Sequence, residues 1–70
     1  MTFKEWIEHL DAIITKHAGV PLHYLRDYDY REAYEHGANP ADTACTLLGL
    51  NWAGDSVINE VREEYGINGN

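Results

Sequence analysis

Residues 28–44 read "YDYREAYEHGANPADTA", and the fold turns on how its middle, "HGANPAD" from His36 to Asp42, is understood. The segment has the form of one helix stopping and another starting. Gly37 enters the left-handed region that closes a helix without a Cβ penalty. Asn39 is a good N-cap, and Pro40 suits the first helical position, where its missing N–H has no partner to lose. Asp42 then meets the positive end of the new helix dipole. Upstream, Asp27 or Asp29 is placed to cap a short helix on which Tyr30, Ala33 and Tyr34 share a core-facing side. Downstream, Ala41, Ala44, Cys45 and Leu48 form an inner stripe with Leu47 beside it, and Gly49 is the expected stop.

The same grammar extends in both directions. Thr2 and Glu5 have the spacing of a capping box, in which each side chain satisfies the other residue's backbone N–H. Phe3, Trp6, Ile7, Leu10, Ile13, Ile14 and His17 then recur at helical spacing, within about 100° on a wheel. Gly19 and Pro21 end that helix, giving a first element over about Phe3 to Ala18. Val20 to Arg26 reads as a connector that tucks Val20, Leu22 and Leu25 against the core. Asp55 is the expected cap of a last helix, Ser56 to Tyr65, burying Val57, Ile58, Val61 and Tyr65, with Gly66 closing it. No segment alternates with a strand period. The prediction is a single all-α domain over residues 1–66, a small bundle of about four helices with two longer terminal and two short middle ones. Trp6, Leu10, Ile14, Tyr34, Leu48 and Val61 share its core, and residues 67–70 form a flexible tail.

Composition narrows the function classes. Twelve acids against five bases give a formal net charge of −7 over 70 residues. Lys4, Lys16, Arg26, Arg31 and Arg62 are scattered among acids, whereas nucleic-acid binding needs clustered cations to displace phosphate counterions. Direct DNA or RNA binding is therefore not expected, although a partner with a basic surface is electrostatically allowed. The bland alternative is that the acids only keep a small protein soluble. Ala33 and Gly37 have helix-turn-helix spacing, but the helix that follows offers no Lys, Arg, Asn or Gln side chain to read base edges. The single cysteine, the absence of a basic-then-apolar leader and the absence of a long apolar run fit a complete cytoplasmic protein with no membrane span.

Catalytic and metal chemistry find little to use. Ser56 adjoins a helix start, and Cys45 lies on a buried stripe where thiols are inert packing. Glu5 with His9, and Glu32 with His36, have i,i+4 spacing that supplies two ligands on one helix face, but no HExxH and no cysteine cluster accompany them. Surface pairing within each couple is the simpler expectation. His17, on the apolar face, is read as a core-edge residue holding a hydrogen bond. "DYDYR" starts like a calcium loop but has Arg31 and Glu32 where the third acid and the turn glycine belong, and Ala38 where the bidentate Glu belongs. No cofactor is expected, and no enzymatic activity.

Trp6, Leu10, Asp11, Gly19, Leu25, Asp27, Tyr30, Tyr34, Gly37, Pro40 and Ala44 carry a resemblance. The pattern "W…LDAI…G…L…DYDYREAYEHGANPADTA" resembles short acidic helical proteins of tailed bacteriophages and their bacterial hosts, over about the first two-thirds of the chain. No activity is attached to that group, so the resemblance implies a context and no site residue. In that context the expected function is a non-enzymatic accessory protein that binds and modulates a host protein, in the host cytoplasm.

Tyr28, which the wheel leaves off the apolar face, with Arg31, Glu32 and Glu35 around it, is the candidate partner surface, and Trp52 is a second anchor. The competing expectation is an acidic decoy that imitates nucleic acid through Glu5, Glu8, Asp11, Glu60, Glu63 and Glu64. A small metal-binding protein is a third, and self-association stays open.

Overall fold

The computed structural model describes residues 1–25, 28–51 and 54–66. Four α-helices run in chain order: α1 Phe3–Ala18, α2 Tyr30–Glu35, α3 Pro40–Leu50 and α4 Asp55–Tyr65, with one 3-10 turn, Leu22–Tyr24, between α1 and α2. The fold is the small all-α bundle that the periodicity predicts, except that α3, expected to be short, has 11 residues, as many as α4, because it continues past Gly49. None of its helices is long and apolar enough to cross a membrane, among the described residues.

The helix ends follow from local chemistry. Thr2 N–H donates to Glu5 Oε1 at 2.8 Å, and Glu5 N–H donates to Thr2 Oγ1 at 3.2 Å. The expected capping box is present. Gly19 closes α1 at φ 75° and its N–H donates to the Thr15 carbonyl. Asp29 caps α2 by accepting the Glu32 N–H at 3.1 Å; Asp27, the other candidate, lies outside the described residues. After His36, Gly37 at φ 78° donates to the Tyr34 carbonyl and Ala38 to the Ala33 carbonyl, both at 3.0 Å. These crossed bonds are a Schellman stop. Asn39 then caps α3 through the Ala41 N–H at 2.8 Å.

Two helix ends differ from expectation. Gly49 does not stop α3, which continues to Leu50. Asn51 ends it instead, its backbone N–H donating to Leu48 O and its buried side chain to Leu47 O. The N-cap of α4 is Gly54, with no side-chain bond, and Asp55 is the first helical residue. Its carboxylate still faces the positive helix end, where it is favourable without being the cap.

The core is built around α3, which packs against both α1 and α4, while α2 and the 3-10 turn pack on α1. Trp6, Leu10, Ile13 and Ile14 of α1 meet Ala41, Ala44, Cys45, Leu47 and Leu48 of α3 and Val61 of α4. Leu47, expected beside the stripe, is fully buried, and Thr43 is buried as well. A helix clamped between two neighbours buries a wider face than one stripe, leaving Asp42, Thr46, Gly49 and Leu50 as the exposed strip of α3. Tyr34, expected in the core, is half-buried at its edge, and its hydroxyl donates to the Met1 carbonyl at 2.8 Å. Val57 and Ile58 are half-buried, and Tyr65, expected inside, is 43% exposed. Tyr65 sits on the last turn of α4, its ring T-shaped to that of His17 with centroids 6.4 Å apart. The sequence assignments of Trp52 as an anchor and of 67–70 as a tail fall outside the described residues.

The two glycines near helix ends should respond in opposite ways to a side chain. Gly37→Val is expected to destabilise by about 1–2 kcal/mol, the left-handed penalty of an L-residue, because no atom lies within 4 Å of the added Cβ and strain is the only cost. Gly37→Asn should lose less, since Asn tolerates that region. Gly49→Ala should stabilise by up to about 1 kcal/mol through helix propensity, with the new Cβ at an ordinary 3.8 Å from Ile58 Cδ1. Thermal melts check this. Equal melting temperatures for the three residue-37 proteins, or a loss at Gly49→Ala, would contradict the assigned helix ends.

Candidate functional site

The side chains expected to form one partner surface are divided by the structure. Tyr28 precedes α2 and is not on it, so the helical wheel does not govern its direction. It is half-buried and packs against the core, its ring 5.6 Å from that of Tyr30. The expectation of a Tyr28 standing off the core face is corrected accordingly. Tyr28 lines a shallow depression with Asp29, Glu32, Ala33, His36 and Ala38. Arg31 and Glu35 look the other way: Arg31 Nε pairs with Glu35 at 3.5 Å, and its guanidinium carbon lies 4.8 Å over the Phe3 ring. That is the geometry of a cation–π contact. Glu32 therefore goes with Tyr28, and Arg31 goes with Glu35.

A different surface emerges beside α1. Ile7, Glu8 and Asp11 of α1, Pro21, Leu22, His23 and Leu25 of the connector, and Tyr30 line an open groove with a cavity volume of about 650 Å³. Its floor exists because the connector is tied down at two points. Asp11 Oδ1 accepts the Leu22 N–H at 2.8 Å, and the turn closes on itself through Tyr24 N–H to Pro21 O at 3.0 Å and Leu25 N–H to Leu22 O at 3.1 Å. Leu22 and Leu25 are thereby drawn into the core, as expected of the connector, while Tyr24 is pushed outward to 72% exposure. Ile7, assigned to the apolar face of α1, is half-buried and turns its remaining surface to the groove. Nothing in the spacing of the sequence pairs Asp11 with Leu22. The usable signal was Pro21, which stops α1 and forces the chain to double back.

The polar groups at the far end of α1 form a compact ion-pair cluster. His17, with its side chain 5% exposed, places Nε2 at 2.5 Å from Glu64 and Nδ1 at 3.5 Å from Glu60. Lys16 pairs with the same Glu64. The hydrogen bonds from Lys16 and then His17 hold the Glu64 carboxyl below the usual range, and Glu64 raises the Lys16 ammonium in return. His17 is thus the core-edge, hydrogen-bonded residue its position on the apolar face implies. At the other end of α1, the Thr2 N–H and hydroxyl hold the Glu5 carboxyl below its ordinary value. Of the pairing with His9 expected at this spacing, only a weak electrostatic effect of His9 on the Glu5 carboxyl is present. His36 is the capping residue beyond the end of α2, and it lines the Tyr28 depression together with Glu32. Burial pushes the Cys45 thiol up, away from the thiolate that a nucleophile needs. Among the described residues, no group of three or more His, Cys, Asp or Glu side chains is placed to hold a metal ion.

The ion pairs predict an acid limb of stability. Glu64 has a folded pKa below its ordinary value of 4.5, so its contribution is present above that value and lost as pH falls through the lowered folded one. Lys16, raised above 10.5, contributes below that value and loses it only in strong alkali. Titrating the remaining acids relieves mutual repulsion in any variant, so the readout is a difference. From pH 7 to pH 3 the melting temperature of wild type should fall further than that of Glu64→Gln. Parallel curves would show that the cluster contributes nothing.

Compared with protein-family models, with curated proteins and with solved structures, the chain has no match.

Proposed function

We propose that the chain is a small non-enzymatic accessory protein, of phage or mobile-element origin, that binds and modulates a host protein in the host cytoplasm, and that the groove between α1 and the 3-10 turn is its contact surface. The observation carrying this reading is Tyr24, a large amphipathic side chain 72% exposed on the turn that also builds an open groove with an apolar floor. Tyrosine on a rigid turn contributes wide contact area with little entropy to lose, and such residues anchor interfaces. The Tyr28 and Glu32 depression adjoins α2 on another side and is the secondary contact.

The acidic-decoy reading draws on the net charge of −7. Four of the six carboxylates it needs are engaged inside the fold: Glu5 in the capping box, Asp11 on the Leu22 N–H, and Glu60 and Glu64 on His17. Carboxylates held this way are fixed in direction, which favours an ordinary interface over a phosphate mimic.

Affinity capture from host lysate with wild type, Tyr24→Ser and Tyr28→Ala separates these readings. The partner retained by wild type at low salt should persist at about 0.5 M salt, where the Debye length is only a few ångströms. It should weaken by more than about 1 kcal/mol with Tyr24→Ser, with melting temperature within a few degrees of wild type. Tyr28→Ala, removing a side chain packed on the core, should lower the melting temperature more. Capture that vanishes with salt and ignores Tyr24 would favour the decoy.

A further inference from the structure

The groove has a chemistry that narrows its occupant. Its lining is mostly apolar, from Ile7, Pro21, Leu22, Leu25 and Tyr30, with Glu8 and Asp11 on the α1 side and His23 on the connector side. Glu8 is exposed and forms no ion pair among the described residues. Asp11 uses Oδ1 for the Leu22 N–H, and a carboxylate has a second oxygen with lone pairs to offer. Among the described residues, no Lys or Arg lines the groove to neutralise these two acids. The α1 wall runs only from Ile7 to Asp11, about 6 Å of helix axis at 1.5 Å per residue. That is room for one or two large side chains and not for a helix laid along its length.

From these facts, and resting on the partner-binding reading above, we infer that the groove receives a short basic-flanked apolar segment of the partner protein, one or two large apolar side chains on the floor and a neighbouring Lys or Arg against Glu8 and Asp11. Charge also argues against a second copy of this chain as the occupant. A symmetric pair across this face would set Glu8 and Asp11 of each copy against the other's acids.

A library of random displayed dodecapeptides selected on immobilised wild-type protein tests the inference. Enriched peptides should carry an aromatic or aliphatic residue within a few positions of Lys or Arg. A synthesised winner should perturb the amide resonances of residues 7–11 and 22–25. Its affinity should fall at least about fivefold with Glu8→Lys and less than about twofold with Glu63→Lys, an equal charge reversal on the exposed side of α4. Both sites are exposed, so neither variant puts the fold at risk. No enrichment over bare support, winners without an apolar anchor, or equal loss from the two reversals would each overturn the inference. So would concentration-dependent dimerisation through the groove, which would assign it to a second copy. Failure of the selection, together with salt-resistant, Tyr24-independent lysate capture, would move the interface elsewhere and leave partner binding standing. Failure of both would remove the partner-binding reading itself.

Discussion

Trp6→Ala should cost about 3–5 kcal/mol, a large share of the roughly 4–10 kcal/mol that a domain of this size has to lose. Trp6 is 3% exposed and joins three parts of the chain. Its ring stacks 6.3 Å from Phe3 and meets Tyr34 edge-on at 6.0 Å. Its indole Nε1–H donates to the Ala38 carbonyl at 2.8 Å, tying α1 to the turn between α2 and α3. Trp6→Phe separates these contributions. It keeps most of the apolar ring and removes the donor, so about 1–3 kcal/mol should be lost, the cost of a part-buried carbonyl without its partner. Urea denaturation followed by circular dichroism reads both. A loss below about 1 kcal/mol for Trp6→Ala would mean that α1 does not pack as described.

Leu10→Ala should cost about 2–5 kcal/mol through a different mechanism. Leu10 is fully buried and makes no polar contact, so the loss is transfer energy plus the cavity left in the core it shares with α3 and α4. Leu10→Met, of similar volume, should cost less than about 1.5 kcal/mol. The urea midpoint should fall with the slope unchanged, because the native state keeps its extent of burial. Comparable midpoints for Leu10→Ala and Leu10→Met would place Leu10 at a surface and contradict the assigned core.

The parts of the fold that were legible in the sequence are those decided within one turn of chain. The capping box at Thr2 and Glu5, the Asn39–Pro40 start and the left-handed Gly19, Gly37 and Gly66 all answer to neighbours three or four residues away. Gly49 shows the limit. It is the same residue type near the end of an apolar run, yet packing between α1 and α4 carries the helix past it to Leu50. Leu47 is read beside the inner stripe, and its full burial adds only what a wheel drawn for one buried face does not show, a second neighbour. The direction of Tyr28 is not legible from a helical wheel because α2 begins two residues later.

The candidate site was less legible than the fold. The groove unites residues 7–11 with residues 21–25 and Tyr30, and its geometry depends on one side-chain-to-backbone bond, Asp11 to Leu22. Each groove residue was visible as apolar or acidic, but its neighbours were not. Tyr24 passed as connector because exposure on a turn has no periodic signature. Arg31 and Glu32 adjoin in sequence and diverge in space because a helix separates consecutive side chains by about 100°.

Under the proposed function, the 3-10 turn is where a partner touches. Photo-cross-linking with p-benzoylphenylalanine placed at position 24 or, as a control, at position 63 tests this in the intact chain exposed to host lysate. Tyr24 and Glu63 are both exposed and lie on different elements. A discrete cross-linked species from position 24, absent from position 63 and reduced by Glu8→Lys, is the predicted result. Equal cross-linking from both positions, or a species formed only from position 63, would contradict it.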